Sequence, residues 1–198
     1  FSSVGEECQD KKYAGEPTTL VIGDNNVIRE NCTIHRGTVQ DQGETRIGND
    51  NLLMAYVHVA HDCVIGNNTI LANCATLAGH VSVGDWAILG GGTMVHQFCH
   101  VGAYSMSAGG SIVLKDIPTY VMASGQSASA HGLNVEGLKR RGYSKDVISE
   151  LRRAYKVIYR QGLTLVQAIE VLERDYADVN EVAPLITSLR NAHRGIVR

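Results

Sequence analysis

From Ile47 onward every sixth residue is aliphatic: Ile47, Leu53, Val59, Ile65, Leu71, Leu77, Val83, Leu89, Val95 and Val101. Two positions before each stands a mostly small residue: Thr45, Asn51, Val57, Cys63, Thr69, Ala75, Val81, Ala87, Thr93 and Cys99. Glycine follows the aliphatic residue at Gly48, Gly66, Gly84 and Gly102, a spacing of eighteen. Ile22, Ile28 and Ile34 keep the step of six, and Val4-Gly5 lies eighteen residues before Ile22-Gly23. A period of six suits neither a helix nor an alternating strand. It is the period of a parallel β-helix, in which six residues make a short strand and a turn and three such units close one triangular coil. The aliphatic position points inward, the small one sits inside near a corner, and coils stack as parallel strands about 4.8 Å apart.

Two stretches break the count. Residues 9–18 (QDKKYAGEPT) put Asp10 and Glu16 at aliphatic positions, and residues 35–46 (HRGTVQDQGETR) add length before Ile47. Both are expected as loops leaving the prism, the kind of segment that carries function. The register weakens at Ser107, resumes at Val113, and Pro118 marks the approach to the last coil. Beyond it the pattern is helical. Ser144 is placed to cap a helix with the stripe Val147, Ile148, Leu151, Tyr155 and Ile158, stopped by Gly162. Thr164 and Gln167 form a capping box ahead of Ala168, Ile169 and Leu172. A third stretch holds Val182, Leu185, Ile186 and Leu189. The expectation is a mainly β chain: a parallel β-helix over 1–127, then a small α-helical domain over 128–198. Phe1 enters in mid-pattern, so coils ahead of it are expected to be missing.

Net charge is −2 over 198 residues, which gives no overall pull toward nucleic acid. No apolar run is long enough to span a bilayer. Charge is nonetheless uneven: Lys139 to Arg160 holds eight basic and two acidic residues, leaving −8 for the rest. Such a segment is either a solvated helix face or a surface for an anionic partner. The five cysteines form no C-x-x-C pair, and Cys32, Cys63 and Cys99 occupy the small inward position. They are expected as core residues in a reducing, cytoplasmic compartment.

The eighteen-residue coil places side chains in space. His61 plus eighteen is Gly79, and plus eighteen again is Gln97. His61, Gly79-His80 and His96-Gln97 are therefore expected along one edge, with His58 close by. Three readings of this edge stand. Neutral imidazoles beside Asp62 could hold a metal. The zinc-binding gamma-class carbonic anhydrases have similar coils, but four residues separate their paired ligands, whereas three separate His96 and His100. Alternatively, His61 is a general base whose tautomer Asp62 fixes, and Gly79 offers an unobstructed N–H to an oxyanion. No Ser or Cys sits in a nucleophile's setting, which favours direct transfer over a covalent intermediate. The third reading is a non-enzymatic coil scaffold.

The motifs QDKKYAGEPT, NVIRENCTIHRGT, NDNLLMAYVHVAHDC, ILANCATLAGHVSVGDWAILGG, MVHQFCHVG and GLNVEGLKRRGYS closely resemble those of the acyl-[acyl-carrier-protein]–UDP-N-acetylglucosamine O-acyltransferases, over nearly the whole chain. The resemblance implies a homotrimer of left-handed β-helices with active sites between neighbouring subunits, and the first step of lipid A synthesis. It implies His61 as the base, Asp62 as its partner and Gly79 as the oxyanion donor, with no cofactor and no metal. Asp10, Lys12, His58, His80, His96 and Gln97 fall on positions lining the sugar and acyl groups. Asn134, Glu136, Arg140 and Arg141 fall on a nucleotide-binding motif. Gly109, with Met106 nearby, falls at the end of the acyl groove, where side-chain size sets chain length and glycine suggests a longer chain. Arg152, Arg153 and Lys156 would face the acidic acyl carrier protein. Ser127 stands where well-known members carry histidine.

Overall fold

The computed structural model describes residues 1–198. The hexapeptides form a left-handed parallel β-helix with three walls. The first stacks Ser3–Glu6, Thr33–His35, His58–Val59, Thr76–Leu77, Met94–Val95 and Ile112–Val113. The second stacks Thr19–Ile22, Glu44–Ile47, Val64–Ile65, Ser82–Val83 and His100–Val101. The third holds Val27–Ile28, Leu52–Leu53, Ile70–Leu71, Ile88–Leu89, Met106–Ser107 and Val121–Gly125. Register is eighteen residues per coil, with Val59 beside Leu77 and Leu77 beside Val95.

All ten aliphatic positions and all ten small positions are at most 3% exposed. Each buried aliphatic side chain contributes about 1.5–3 kcal/mol relative to exposure. The polar members of the small set are satisfied internally. Asn51, for instance, donates to the Gly66 carbonyl and accepts from the Thr69 N–H and hydroxyl. The same device explains Ser107, where the register does not lapse: its hydroxyl lies 2.9 Å from Thr93 Oγ1 and accepts from the Gly90 N–H. A hydroxyl substitutes for an aliphatic group there because its hydrogen bonds are met.

Corners turn through a left-handed residue every six positions. Asp50, Tyr56, Asp62, Asn68, Cys74, His80, Trp86, Phe98 and Tyr104 have φ of 57–65°, and Gly92 and Gly110 continue the series. Such backbone costs a non-glycine residue about 1–2 kcal/mol. It is held by coil-to-coil bonds, as where the His80 N–H donates to the His61 carbonyl and the Phe98 N–H to that of Gly79. The eighteen-residue glycine period has its own cause at another corner. A Cβ on Gly66 would lie 2.3 Å from Asp85 Oδ1, which accepts the Asn67 N–H.

Two details differ from the sequence pattern. Val4 pairs with Ile34 in the first wall, not with the second-wall Ile22, because the excursion after Glu6 lengthens that coil. The second excursion is shorter than expected, since Glu44–Ile47 is already strand.

The chain leaves the prism through an antiparallel hairpin, Val121–Gly125 with Ala128–Leu133, which has Ser127 in its exposed turn. The expected division at 127/128 therefore separates two paired strands. Four helices follow: α1 (Val135–Arg140), α2 (Lys145–Arg160), α3 (Leu165–Asp175) and α4 (Ala183–Arg190). Ser144 caps α2 and the Thr164–Gln167 capping box starts α3, as the sequence indicates. The short α1 has too little periodicity to be read in advance. Its first turn is closed by Asn134 Oδ1, which accepts the Gly137 N–H. One buried apolar cluster runs from Cys32 in the prism to Val197, so coils and helices share a core. No helix is long and apolar enough to cross a membrane.

Candidate functional site

The corner between the first and second walls carries residues 60–62, 78–80 and 96–98 of successive coils. Asp62 is buried there and accepts three hydrogen bonds: from the Thr38 N–H (2.8 Å), from the Thr38 hydroxyl (2.6 Å) and from His61 Nδ1 (2.8 Å). A carboxylate only accepts, so Nδ1 carries a proton, and in the neutral ring Nε2 holds the lone pair. His61 Nε2 lies 3.9 Å from Asp10 Oδ2. Asp10 is held below the usual carboxylate range chiefly by the Lys12 N–H, with His61 adding to the effect.

One coil along, Gly79 lies beneath the His61 ring. A Cβ there would fall 2.5 Å from Cε1 and 2.6 Å from Nε2, so the imidazole fits only over glycine. The Gly79 N–H has no acceptor within the chain. His80 meets His61 edge to face at 5.0 Å and stacks on Phe98 at 4.3 Å. Its Nδ1 donates to Asp41 at 2.7 Å. Asp10, Lys12, Thr38, Gln40, Asp41, His80 and Phe98 line a cavity of about 460 Å³.

The expected edge is thus partly assembled. His61, Asp62, Gly79, His80, Asp10 and Lys12 come together. His58 does not: it lies on the first wall, with Nδ1 2.7 Å from the Thr33 hydroxyl and its ring against His35. It sits on a strand, three residues before the turn that aims His61. Burial chiefly, and then His35, push its pKa below the ordinary histidine value. His96 and Gln97 are at the right corner but exposed, and neither lines the cavity; Phe98 takes the place beside His80.

Thr38, Gln40, Asp41 and Phe98 were not anticipated. Phe98 was reachable by adding eighteen to His80. The other three belong to the excursion at 36–43, whose course no repeat predicts.

A larger cavity, about 800 Å³, lies at the next corner. It is bounded by Ile70, Ile88 and Met106 of the third wall, by Trp86 and Tyr104, and by α1 through Asn134, Glu136, Gly137, Arg140 and Arg141. All four nucleotide-motif residues are gathered here, and Met106 joins them. Gly109 lies on the following turn, over the Gly91 carbonyl, outside this lining. Asn134 is fixed in place, its Nδ2 donating one hydrogen to the Tyr104 carbonyl and its Oδ1 capping α1, which leaves its second Nδ2 hydrogen on the cavity lining. The Arg141 guanidinium lies 4.4 Å over Trp86 and bonds the Gly137 carbonyl, yet its Nε is buried without an acceptor. Glu136 is exposed and paired with Lys139.

On α2, Arg152, Arg153, Lys156 and Arg160 border a further cavity of about 530 Å³ beside Gly132 and Leu133. Arg153 is paired with Glu150, and Arg152 and Lys156 have no ion partner.

Hexapeptide coils with a histidine–carboxylate pair at a corner define a transferase of the bacterial hexapeptide class, whose family model matches residues 44–79. Residues 116–197 match the second domain of UDP N-acetylglucosamine O-acyltransferase. The acyl-[acyl-carrier-protein]–UDP-N-acetylglucosamine O-acyltransferases of Saccharophagus degradans and Thiobacillus denitrificans are 63% and 62% identical to the chain over its whole length, covering 77% of theirs. The crystal structure of the UDP-N-acetylglucosamine O-acyltransferase of Moraxella catarrhalis superposes with a TM-score of 0.98, at 54% identity over 100% of this chain and 77% of that one. The chain belongs to the UDP-N-acetylglucosamine O-acyltransferase family.

Proposed function

We infer that the protein moves an acyl chain, such as a 3-hydroxyacyl chain, from acyl carrier protein to the 3-hydroxyl of UDP-N-acetylglucosamine, opening lipid A synthesis in the cytoplasm. The observation that carries the mechanism is the His61–Asp62 pair, with an available Nε2 above the Gly79 backbone. His61 Nε2 takes the proton of the sugar 3-hydroxyl as its oxygen attacks the thioester carbonyl. The tetrahedral oxyanion accepts from the Gly79 N–H, a contact of a kind that contributes about 10²–10³ in kcat. Collapse breaks the C–S bond, and His61 returns its proton to the departing carrier thiolate. Asp62, held by Thr38, stabilises the imidazolium between these steps.

Asp10, Lys12 and His80 hold the sugar, with His58, His96 and Gln97 farther along the acyl and sugar path. Arg140 and Arg141 take the diphosphate, whose oxygens would satisfy the orphaned Arg141 Nε. Glu136 and Asn134 face the nucleotide, and Asn134 also fixes α1. Met106 and Gly109 bound the acyl groove, and Arg152, Arg153 and Lys156 receive the acidic carrier protein. The base and the nucleotide residues lie on different corners of one prism. A site using both is completed between neighbouring subunits of a homotrimer.

The test is product mass spectrometry with a panel of carrier thioesters and with 3-hydroxy and 3-amino nucleotide sugars. His61→Ala should lower transfer about a thousandfold while sedimentation still reports a trimer. Near-normal turnover in that variant refutes the assignment. A second reading rests on His61, Asp62 and His80, whose donor atoms lie within 4.8 Å of one another: a zinc centre. One zinc per chain, lost together with activity in His80→Ala, would favour it.

A further inference from the structure

The geometry points to Asp41 as a positioning residue for His80: a carboxylate delivered by the 36–43 excursion fixes which imidazole nitrogen carries the proton and how the ring faces the cavity. This rests on the reading of the histidine corner given above. Asp41 is 39 residues from His80 and outside the coil register, yet its Oδ2 accepts from His80 Nδ1 at 2.7 Å. The ring is already confined by Phe98, stacked within 6° of parallel, and by the His61 ring at 89°. Those contacts set the ring plane. Asp62 Oδ2 lies 3.9 Å from the same Nδ1, beyond hydrogen-bond reach, so Asp41 supplies the only hydrogen bond that distinguishes the two nitrogens. With Nδ1 donating to a carboxylate, the neutral ring presents Nε2 as an acceptor, and the hydrogen bond to Asp41 is the one the ring makes within the chain. Nε2 is then available to a sugar hydroxyl.

The excursion is itself anchored. The Asp41 and Gly43 N–H groups both donate to the Thr38 carbonyl, and the Gly37 N–H donates to the Thr19 carbonyl. Gly37 lies so close to the Glu44 backbone that any Cβ would collide with it. Thr38 grips Asp62 through both its N–H and its hydroxyl. One loop therefore clasps two histidine–carboxylate pairs. It reaches His61 through Asp62 and reaches His80 directly through Asp41. Asp10 and Lys12 are the other charged groups lining the cavity, and neither is hydrogen-bonded to His80.

Nitrogen-15 NMR of the imidazoles, with steady-state kinetics, tests this. Wild-type His80 should be the Nδ1–H tautomer. Asp41→Ala should release it to a tautomer mixture, raise KM for the nucleotide sugar about tenfold and change kcat less than about threefold. Asp41→Asn keeps an acceptor, so it should restore the tautomer and bring KM within about threefold of wild type. A wild-type Nε2–H tautomer, or one unchanged in Asp41→Ala, overturns the proposal. Loss of Thr38 amide protection from hydrogen exchange in both variants also overturns it, since Asp41 would then merely fasten the loop. Failure of the catalytic reading is separately visible as wild-type turnover in His61→Ala. The His80 tautomer still judges Asp41 in that case.

Discussion

Two neighbouring corners of this prism share one backbone and do different work. The first carries Asp62, His80 and Phe98 at φ of 58°, 62° and 63°. The second carries Asn68, Trp86 and Tyr104 at 57°, 62° and 57°. The left-handed turn and the coil spacing are the same at both, and so is the bond to the residue nineteen earlier, except at Asp62, whose N–H donates to the Thr45 hydroxyl instead. What differs is the cover. A loop inserted within the coils folds over the first corner and brings Thr38, Gln40 and Asp41. A helix added after the coils folds over the second and brings Glu136, Arg140 and Arg141. Left-handed residues are therefore no mark of a site here, since every coil has them. The chemistry comes from which segment closes each corner.

The comparison breaks most visibly at the glycines. Gly79→Ala forces the His61 ring off Asp62 and should reduce kcat about a hundredfold with little change in melting temperature. Gly91→Ala, on the third corner, meets only the Asn73 carbonyl at 3.3 Å and should leave activity near wild type. Equal effects of the two would mean that the His61 contact is incidental.

Thr38→Val probes the loop cover. It removes the hydroxyl bond to a buried carboxylate while keeping the backbone N–H, a loss of about 1–3 kcal/mol and roughly a tenfold fall in kcat. The helical cover is probed by Trp86→Leu, which removes the ring beneath Arg141. KM for the nucleotide sugar should rise about fivefold with kcat unchanged, in keeping with a cation–π contact of about 1 kcal/mol. A kcat effect from Trp86→Leu would place the second corner at the reacting atoms.

The smallest effect concerns the walls. His58 and His100 are both depressed by burial, aided at His58 by His35 and opposed at His100 by Asp116. The unfolded chain therefore binds protons more readily at these sites. Their stabilisation is present above the unfolded pKa of about 6.5 and is lost as pH falls through the folded values. Melting temperature should drop on acidification below about 6.5, and His58→Gln should flatten that slope. An unchanged slope would remove His58 from the account.

Legibility in the sequence followed the repeat. The inward set was readable because burial recurs every six residues, and the approach of His61 to Gly79 followed from adding eighteen. His58 was misplaced because sequence proximity to His61 hides the turn between strand and corner. Gln97 was preferred to Phe98 because addition from His61 selects the residue before the turn, whereas the contact to His80 is made by the residue at it. Asn134 reads as a ligand in a motif, and only the structure shows that the same amide also caps α1 and holds the Tyr104 carbonyl.

By itself the sequence determined the coil, the identity of its core and the edge on which His61, Gly79 and His80 fall, because a period of six maps chain position directly onto a place in space. Only the tertiary structure decided that Thr38 and Asp41 complete the histidine corner, that His58 stands outside it while His96 lies exposed at that corner without lining the cavity, and that the nucleotide-motif residues gather on another corner. Those outcomes depend on non-repeating segments folding back across the prism. Their paths are set by hydrogen bonds between residues far apart in sequence, such as Asp41 to His80 and Thr38 to Asp62, which no local pattern encodes.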